Sequence, residues 1–285
     1  MEIITRRQRM FSISRKLRRE NKTVAFVATM GALHEGHLTL VAEARQAADV
    51  VIVSIFVNPE QFNDKADLQR YPRDLTADAA MLAEYEVDYV FAPDEDEVYP
   101  PGFSTYVYVE GLSEGLEGAS RPGHFRGVAT IVTILFNTVR PDKAFFGQKD
   151  AQQVAVVRRL TEDLGFETEI VVIPTVREAS GLAMSSRNAN LATEEREKAA
   201  VIFNSLRAAK LAFKGGERKA SKLIDIVRNI IESEPLARID YIAAVDAETL
   251  EPVEHIGDSE VILSTAVFFG KTRLIDNIRL NRSND

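Results

Sequence analysis

The segment Thr29–His37 reads Thr-Met-Gly-Ala-Leu-His-Glu-Gly-His and places two of the chain's four histidines three residues apart. At a helix start, His34 and His37 can face one site and donate hydrogen bonds to a phosphate that gains charge in a transition state. Gly31 permits a close backbone turn. Gly36 lets a nucleotide approach the helix start, where unpaired N–H groups favour anions. No Gly-Lys-Ser/Thr follows, so this is not a Walker loop. Two histidines at this spacing can also begin a metal site, though no third ligand lies nearby, and a Gly/His turn can be purely structural.

Four further strings carry chemistry. Val57–Asn63 holds Asn58 and Gln61, neutral amides suited to a hydroxyl or a carboxylate, although an Asn-Pro turn alone also explains it. Arg121–Gly127 puts Arg121, His124 and Arg126 at a helix start, which suits an anion or a surface cap. In Phe146–Gln153, Asp150 can cap a helix or hold a ribose, Lys149 would lie by phosphates, and Gln153, four residues on, can face the same pocket. Met184–Asn188 contributes Ser185, Ser186 and Arg187, able to close over a triphosphate as a mobile loop or to remain a solvated one.

The elements that must position these strings alternate. Val24–Thr29 reads as a buried strand, Gly36–Ala48 as a helix, and Val50–Val57 as a β-branched run typical of a central parallel strand. Helix Asp74–Glu86, strand Asp88–Phe91, a strand at Tyr106–Glu110, helix Val128–Val139, strand Lys143–Phe146, helix Ala151–Leu164 and strand Thr168–Ile173 follow. This alternation predicts an α/β domain with a parallel sheet covered on both faces, and puts the chemical strings at the carboxyl edge of the strands. After about Val176 the pattern changes. Helices at Thr193–Phe213 and Arg218–Glu232 precede strands at Ile239–Val245, Val261–Phe269 and Thr272–Leu280, which predicts a smaller α+β domain with an antiparallel sheet. The expected division is 1–175 and 176–285.

Composition bounds the function. Hydrophobic residues make up 45% and charged residues 27% of 285, ordinary globular usage that argues against disorder. The absence of cysteine excludes disulfides and thiolate-bound zinc and fits a cytoplasmic location. No apolar run approaches the roughly 20 residues of a membrane span. A net charge of −8 argues against nucleic-acid binding, while a local cluster of cations still suits a small anionic ligand. The basic N-terminal stretch, with Met10, Ile13 and Leu17 at helical spacing, reads as an amphipathic helix. The acidic run Asp94–Glu97 reads as a solvated loop.

Taken in order, the strings TMGALHEGH, SIFVNPEQF, YPRD, RPGHFRGVAT, FGQKDAQQ and VRE followed by GLAMSSRN resemble the pantoate–β-alanine ligase (pantothenate synthetase) family over most of the chain. HEGH is similar to the HIGH signature of nucleotidylyltransferases and class I tRNA synthetases, and MSSR looks like a counterpart of their KMSKS loop. The resemblance implies a Rossmann-like domain with an HxGH-type nucleotide site. It also implies an ATP-dependent, AMP-forming ligase that joins pantoate to β-alanine through a pantoyl adenylate, with Mg²⁺ carried by the triphosphate and the chain a homodimer. By the same resemblance, Met30, Gly31, Ala32, Leu33, His34, Glu35, Gly36 and His37 would hold ATP, with His37 as proton donor or phosphate hydrogen-bonder. Gly147, Gln148, Lys149 and Asp150 would also bind ATP, with Lys149 near the phosphates, and His34, His37 and Lys149 would be the catalytic groups. Gln61 would contact pantoate and β-alanine, and Gln153 pantoate. Val176 would contact adenine through its backbone, and Met184, Ser185, Ser186 and Arg187 would close on the phosphates. No dedicated metal ligands are implied. One departure stands out: Ala179-Ser180 occupies the place where the family usually has an aspartate, which bears on loop closure more than on chemistry. A nucleotidylyltransferase would share the histidine pair but not explain Gln61 with Gln153, and a non-catalytic nucleotide sensor would not need Lys149.

Overall fold

The computed structural model describes residues 1–63 and 65–281. It divides into two compact units, one of Met1–Gly147 with Val156–Ile173, the other of Gln148–Ala155 with the chain from Pro174 onward.

The first unit is built on six parallel strands: β1 (Glu2–Ile4), β2 (Val24–Thr29), β3 (Val50–Ile55), β4 (Tyr89–Phe91), β5 (Lys143–Gly147) and β6 (Glu169–Ile173). Their order is β1-β4-β3-β2-β5-β6. Side chains alternate between faces along a strand. Ala25 and Val27 of β2, with Val51 and Val53 of β3, therefore bury one face under Leu38, Val41 and Ala44 of the helix Glu35–Ala47. Phe26 turns to the other face and meets Phe136 of the helix His124–Val139 edge-on, with ring centroids 6.4 Å apart. Both faces are thus covered, as the uninterrupted apolar runs of β2 and β3 require. Successive connections run outward on one side of β2 and β5 lies on its other side, so the order reverses between them. In open α/β sheets such a reversal marks where ligands bind, beyond the carboxyl ends of the strands.

The second unit holds three antiparallel strands in the order β7-β8-β9: β7 (Ala237–Asp246), β8 (Val261–Phe269) and β9 (Thr272–Leu280). Helices Val201–Lys214 and Ala220–Glu232 give Ile202, Leu206, Leu223, Val227 and Ile231 to a core shared with Leu263, Val267, Leu274 and Leu280.

The expected class holds: a parallel α/β sheet and an antiparallel α+β sheet. Several local readings change. Tyr106–Glu110 forms no strand among the described residues, because the Val107 N–H donates to the Thr130 hydroxyl (3.0 Å) and not to a strand partner. The acidic run is a helical turn, Glu95–Val98, and Glu97 is engaged: it accepts from the Arg7 N–H (2.8 Å) and pairs with Arg6 (3.0 Å). The helix expected over Thr193–Phe213 breaks into Thr193–Lys198 and Val201–Lys214. There the Ile202 N–H reaches back only three residues, to the Ala199 carbonyl. Strand β1 has no counterpart in the sequence reading, since three residues beside a basic helix carry no readable period.

Candidate active site

Strand β2 delivers the histidine segment. Thr29 ends the strand and donates its hydroxyl to the Ser54 carbonyl on neighbouring β3 (2.7 Å). The chain then passes through the left-handed region twice, at Gly31 (φ +78°) and Ala32 (φ +51°). Such a turn aims its amides inward and needs an acceptor. Asp78, 3% exposed on the helix Leu75–Ala83, supplies it: Oδ2 accepts from the Ala32 N–H (3.1 Å) and Oδ1 from the Leu33 N–H (2.9 Å). A Cβ at position 31 would sit 2.8 Å from Asp78 Oδ2, so glycine there serves both the backbone angle and this close approach.

His34 caps the helix Glu35–Ala47, its Nδ1 accepting from the Gly36 N–H (3.1 Å). A backbone amide can only donate, so Nδ1 carries no proton and Nε2 does. The His37 ring lies 4.1 Å from the His34 ring, tilted by 33°. The pair therefore stands together at the helix N-terminus, beyond the carboxyl end of β2.

Gln61 follows β3 in the turn Pro59–Gln61 and is 8% exposed. Its orientation is set by a network. Asn58, fully buried, accepts through Oδ1 from the Tyr99 hydroxyl (2.8 Å) and the Glu60 N–H (3.3 Å). Its Nδ2 donates to the Gly127 carbonyl (3.1 Å) and to Gln61 Oε1 (2.9 Å). The Glu60 amide and the Gly127 carbonyl each permit one role only, which decides the Asn58 assignment and, through it, that of Gln61. Gln61 thus turns its oxygen inward and presents its NH₂ as the working end, a donor for a carboxylate or hydroxyl. Tyr99 stays protonated as a donor: burial, reinforced by the charge of Glu60, pushes its phenol well above the ordinary range.

Arg121 and His124 act on the same turn. His124 Nδ1 donates to the Gln61 carbonyl (3.0 Å), which Arg121 also meets (3.3 Å), while Arg121 donates to His124 Nε2 (3.1 Å). Gly127 lets the helix approach: a Cβ there would overlap the Glu60 carbonyl.

Gly147 ends β5, and Gln148–Asp150 forms the first turn of the second unit. Lys149 is 17% exposed, its Nζ 3.4 Å from Asp150 Oδ1. Gln153 follows on the helix Ala151–Asp163, half-buried. Val176 and Met184 lie at the mouth of a tight return of the chain, where the Met184 N–H donates to the Val176 carbonyl (2.9 Å). Ser185 then caps the turn Ser186–Asn190 by accepting from the Arg187 N–H (3.3 Å). Asn188 ties the turn down, donating to Glu178 (2.8 Å) and to the Ala183 carbonyl (3.0 Å). Lys149, Ser185 and Arg187 line one recess, with Arg273 and Asp276. Ala179 and Ser180 are exposed at the tip of the return, where Ser180 Oγ accepts from the Leu182 N–H (3.4 Å).

Residues 2–279 match the family model for pantoate-beta-alanine ligase. The chain belongs to that family. The family's pantothenate synthetase from Heliobacterium modesticaldum is 52% identical over 278 residues, covering 98% of this chain and 99% of its own length. That of Thermosipho africanus is likewise 52% identical over 278 residues, with the same coverage. A crystal structure of pantothenate synthetase from Thermus thermophilus superposes with a TM-score of 0.90 at 45% identity, covering 98% of this chain and 99% of that one. The pantoate-beta-alanine ligase of Francisella tularensis, complexed with beta-gamma ATP and beta-alanine, gives 0.79 at 36% identity over 98% and 97% of the two chains.

Sequence reasoning passed over Asp78, Tyr99, Asp276 and Asn277. Asp78 carried a signal: it is an acid in step with Ala79 and Leu82 on the buried face of its helix. Asp276 carried another, as an acid within the alternating row Leu274, Ile278, Leu280 that faces the core. Tyr99 carried none, because its partner Asn58 is 41 residues away in sequence.

Proposed function

We propose that this enzyme condenses pantoate with β-alanine to pantothenate, converting ATP to AMP and pyrophosphate through a pantoyl adenylate. The observation that carries the reading is the family match, which extends through both units and every chemical string. In the first step a pantoate carboxylate oxygen forms a bond to the α-phosphorus of Mg-ATP, and the bond to the bridging oxygen breaks to release pyrophosphate. In the second, the β-alanine amine bonds to the acyl carbon, the acyl–oxygen bond breaks, AMP leaves and the nitrogen loses a proton. A carboxylate is a poor acyl donor and adenylation makes its oxygen a good leaving group, so the protein has mainly to position reactants and stabilise charge.

The ATP-binding role falls to Met30–His37, Gly147–Asp150, Val176 and Met184–Arg187. His34, with Nε2 protonated, and His37 offer donors to the phosphates from a helix N-terminus, and Lys149 offers a cation. The NH₂ of Gln61 meets the pantoate carboxylate or hydroxyl and later β-alanine, and Gln153 completes the pantoate contacts. Mg²⁺ enters as part of the nucleotide substrate. A homodimer and a cytoplasmic setting belong to the same proposal.

Incubation with ATP, pantoate and β-alanine tests it. AMP and pyrophosphate should appear in a manner dependent on both acids, and omission of β-alanine should allow an acyl adenylate of pantoate to be trapped. A persistent nucleotidylated product, or turnover indifferent to β-alanine, would overturn the proposal.

A further inference from the structure

Strand β9 carries two consecutive buried polar residues, Asp276 and Asn277, 2% and 3% exposed. Burying polar groups is costly unless their hydrogen bonds are made, so where those bonds go indicates what the residues are for. All three side-chain bonds of Asn277 go to two consecutive residues. Nδ2 donates to the Gln148 carbonyl (3.0 Å) and the Lys149 carbonyl (2.9 Å), and Oδ1 accepts from Gln148 Nε2 (2.8 Å). Two carbonyls can only accept, so the amide has one possible orientation. Asp276 faces the opposite side of the strand and holds Arg177 through two bonds (2.6 and 2.9 Å), while its Oδ1 also accepts from the Asn277 N–H (2.8 Å). Arg177 in turn donates to the Gly181 carbonyl (3.1 Å) and stacks its guanidinium 3.8 Å from the Phe203 ring.

Neither residue is placed as a reacting group, and a strand needs no side chain to satisfy the carbonyls of a distant turn. The bonds converge on the two segments of this unit that carry candidate nucleotide contacts: Gln148–Lys149, and the return between Val176 and Met184. We propose that Asn277 is a positioning residue for Lys149, fixing the backbone from which its ammonium reaches the ATP phosphates, with the Asp276–Arg177 pair holding Asn277 in register. This rests on the role assigned to Lys149 under the proposed function.

The test compares Asn277→Ala and Asn277→Asp with wild type, Lys149→Ala and the double variant Asn277→Ala/Lys149→Ala, measuring the rate of adenylate formation from ATP and pantoate together with thermal unfolding. Asn277→Asp keeps the size of the side chain but turns an oxygen against two carbonyls, and should be as impaired as Asn277→Ala. Both should lose about 10²-fold in kcat for adenylation, the scale of an ångström-sized misplacement, with a smaller change in KM for pantoate. Because Asn277 acts through Lys149, the double variant should be no slower than Lys149→Ala. Wild-type adenylation in folded Asn277 variants, multiplicative losses in the double variant, or failure of both Asn277 variants to fold would each overturn the proposal. The last result would assign Asn277 to the stability of its unit. Wild-type adenylation by Lys149→Ala would instead refute the role of Lys149 itself, which separates the two readings.

Discussion

Gln61 acquires a direction only because Asn58 has one. An isolated glutamine amide presents either end to a ligand. Here the Tyr99 hydroxyl and the Glu60 amide pin the Asn58 oxygen, Asn58 pins the Gln61 oxygen, and the Gln61 NH₂ is left as the donor that the proposed function gives to pantoate. Tyr99→Phe keeps the ring packed against Phe56 and Phe103 and deletes one donor. A net loss of about 1 kcal/mol for that hydrogen bond corresponds to a roughly fivefold rise in KM for pantoate, with KM for ATP unchanged. Steady-state kinetics with each substrate varied in turn check this, and an unchanged pantoate KM would show that Tyr99 does not orient the amide. Asp78 bears on the histidine loop, to which the proposed function assigns ATP. Asp78→Ala would leave the part-buried Ala32 amide and the buried Leu33 amide without their acceptor, the latter at about 1–3 kcal/mol. The histidine loop should relax, raising KM for ATP and lowering resistance to urea together; an ATP KM equal to wild type would show that the loop holds its shape without Asp78.

Among the elements, the turn Ser186–Asn190 shows how a polar loop is anchored. Asn188 and Arg196 both donate to Glu178, which sits just before the exposed Ala179-Ser180 tip. Burial acts to raise the Glu178 carboxyl, but the hydrogen bonds from Arg196 and Asn188 and the arginine charge outweigh it, and the group is held below its ordinary value. Between the lowered native value and the ordinary unfolded one, the unfolded chain binds more protons. The stability Glu178 contributes is therefore complete above the ordinary glutamate range and is lost as pH falls through the native value. Urea unfolding of wild type and Glu178→Gln across that acid range should show a gap that is constant near neutrality and closes at low pH. A gap independent of pH would mean that the Glu178 charge does not hold the turn. The anchoring acid lies at position 178, while the tip itself, Ala179-Ser180, is solvent-facing.

For the whole molecule, the two units have separate cores, one around β2 and β3 and one around β8 with its helices. A nucleotide that binds only folded protein stabilises it by mass action, by about 2.7 kcal/mol at a hundredfold excess over Kd. A non-hydrolysable ATP analogue with Mg²⁺ should accordingly raise Tm by several degrees in a scanning fluorimetry series, saturating as RT ln(1 + [L]/Kd) predicts. A Tm indifferent to the analogue would remove the nucleotide from the proposed function. The sequence by itself determined the class of both units, because a run such as Val24–Thr29 or Val50–Ile55 has one sensible burial and the helices between have one period. It also marked the histidine pair, Gln61, Lys149 and Ser185–Arg187, because their strings are local and contiguous. Tertiary structure alone decided which partners give these groups a direction. Asp78 meets Leu33 across 45 residues, His124 meets Gln61 across 63, and Asn277 meets Gln148 across 129. Local pattern records which face of an element is buried. It does not record which distant backbone amide or carbonyl a buried polar group will find there, and that pairing orients a site.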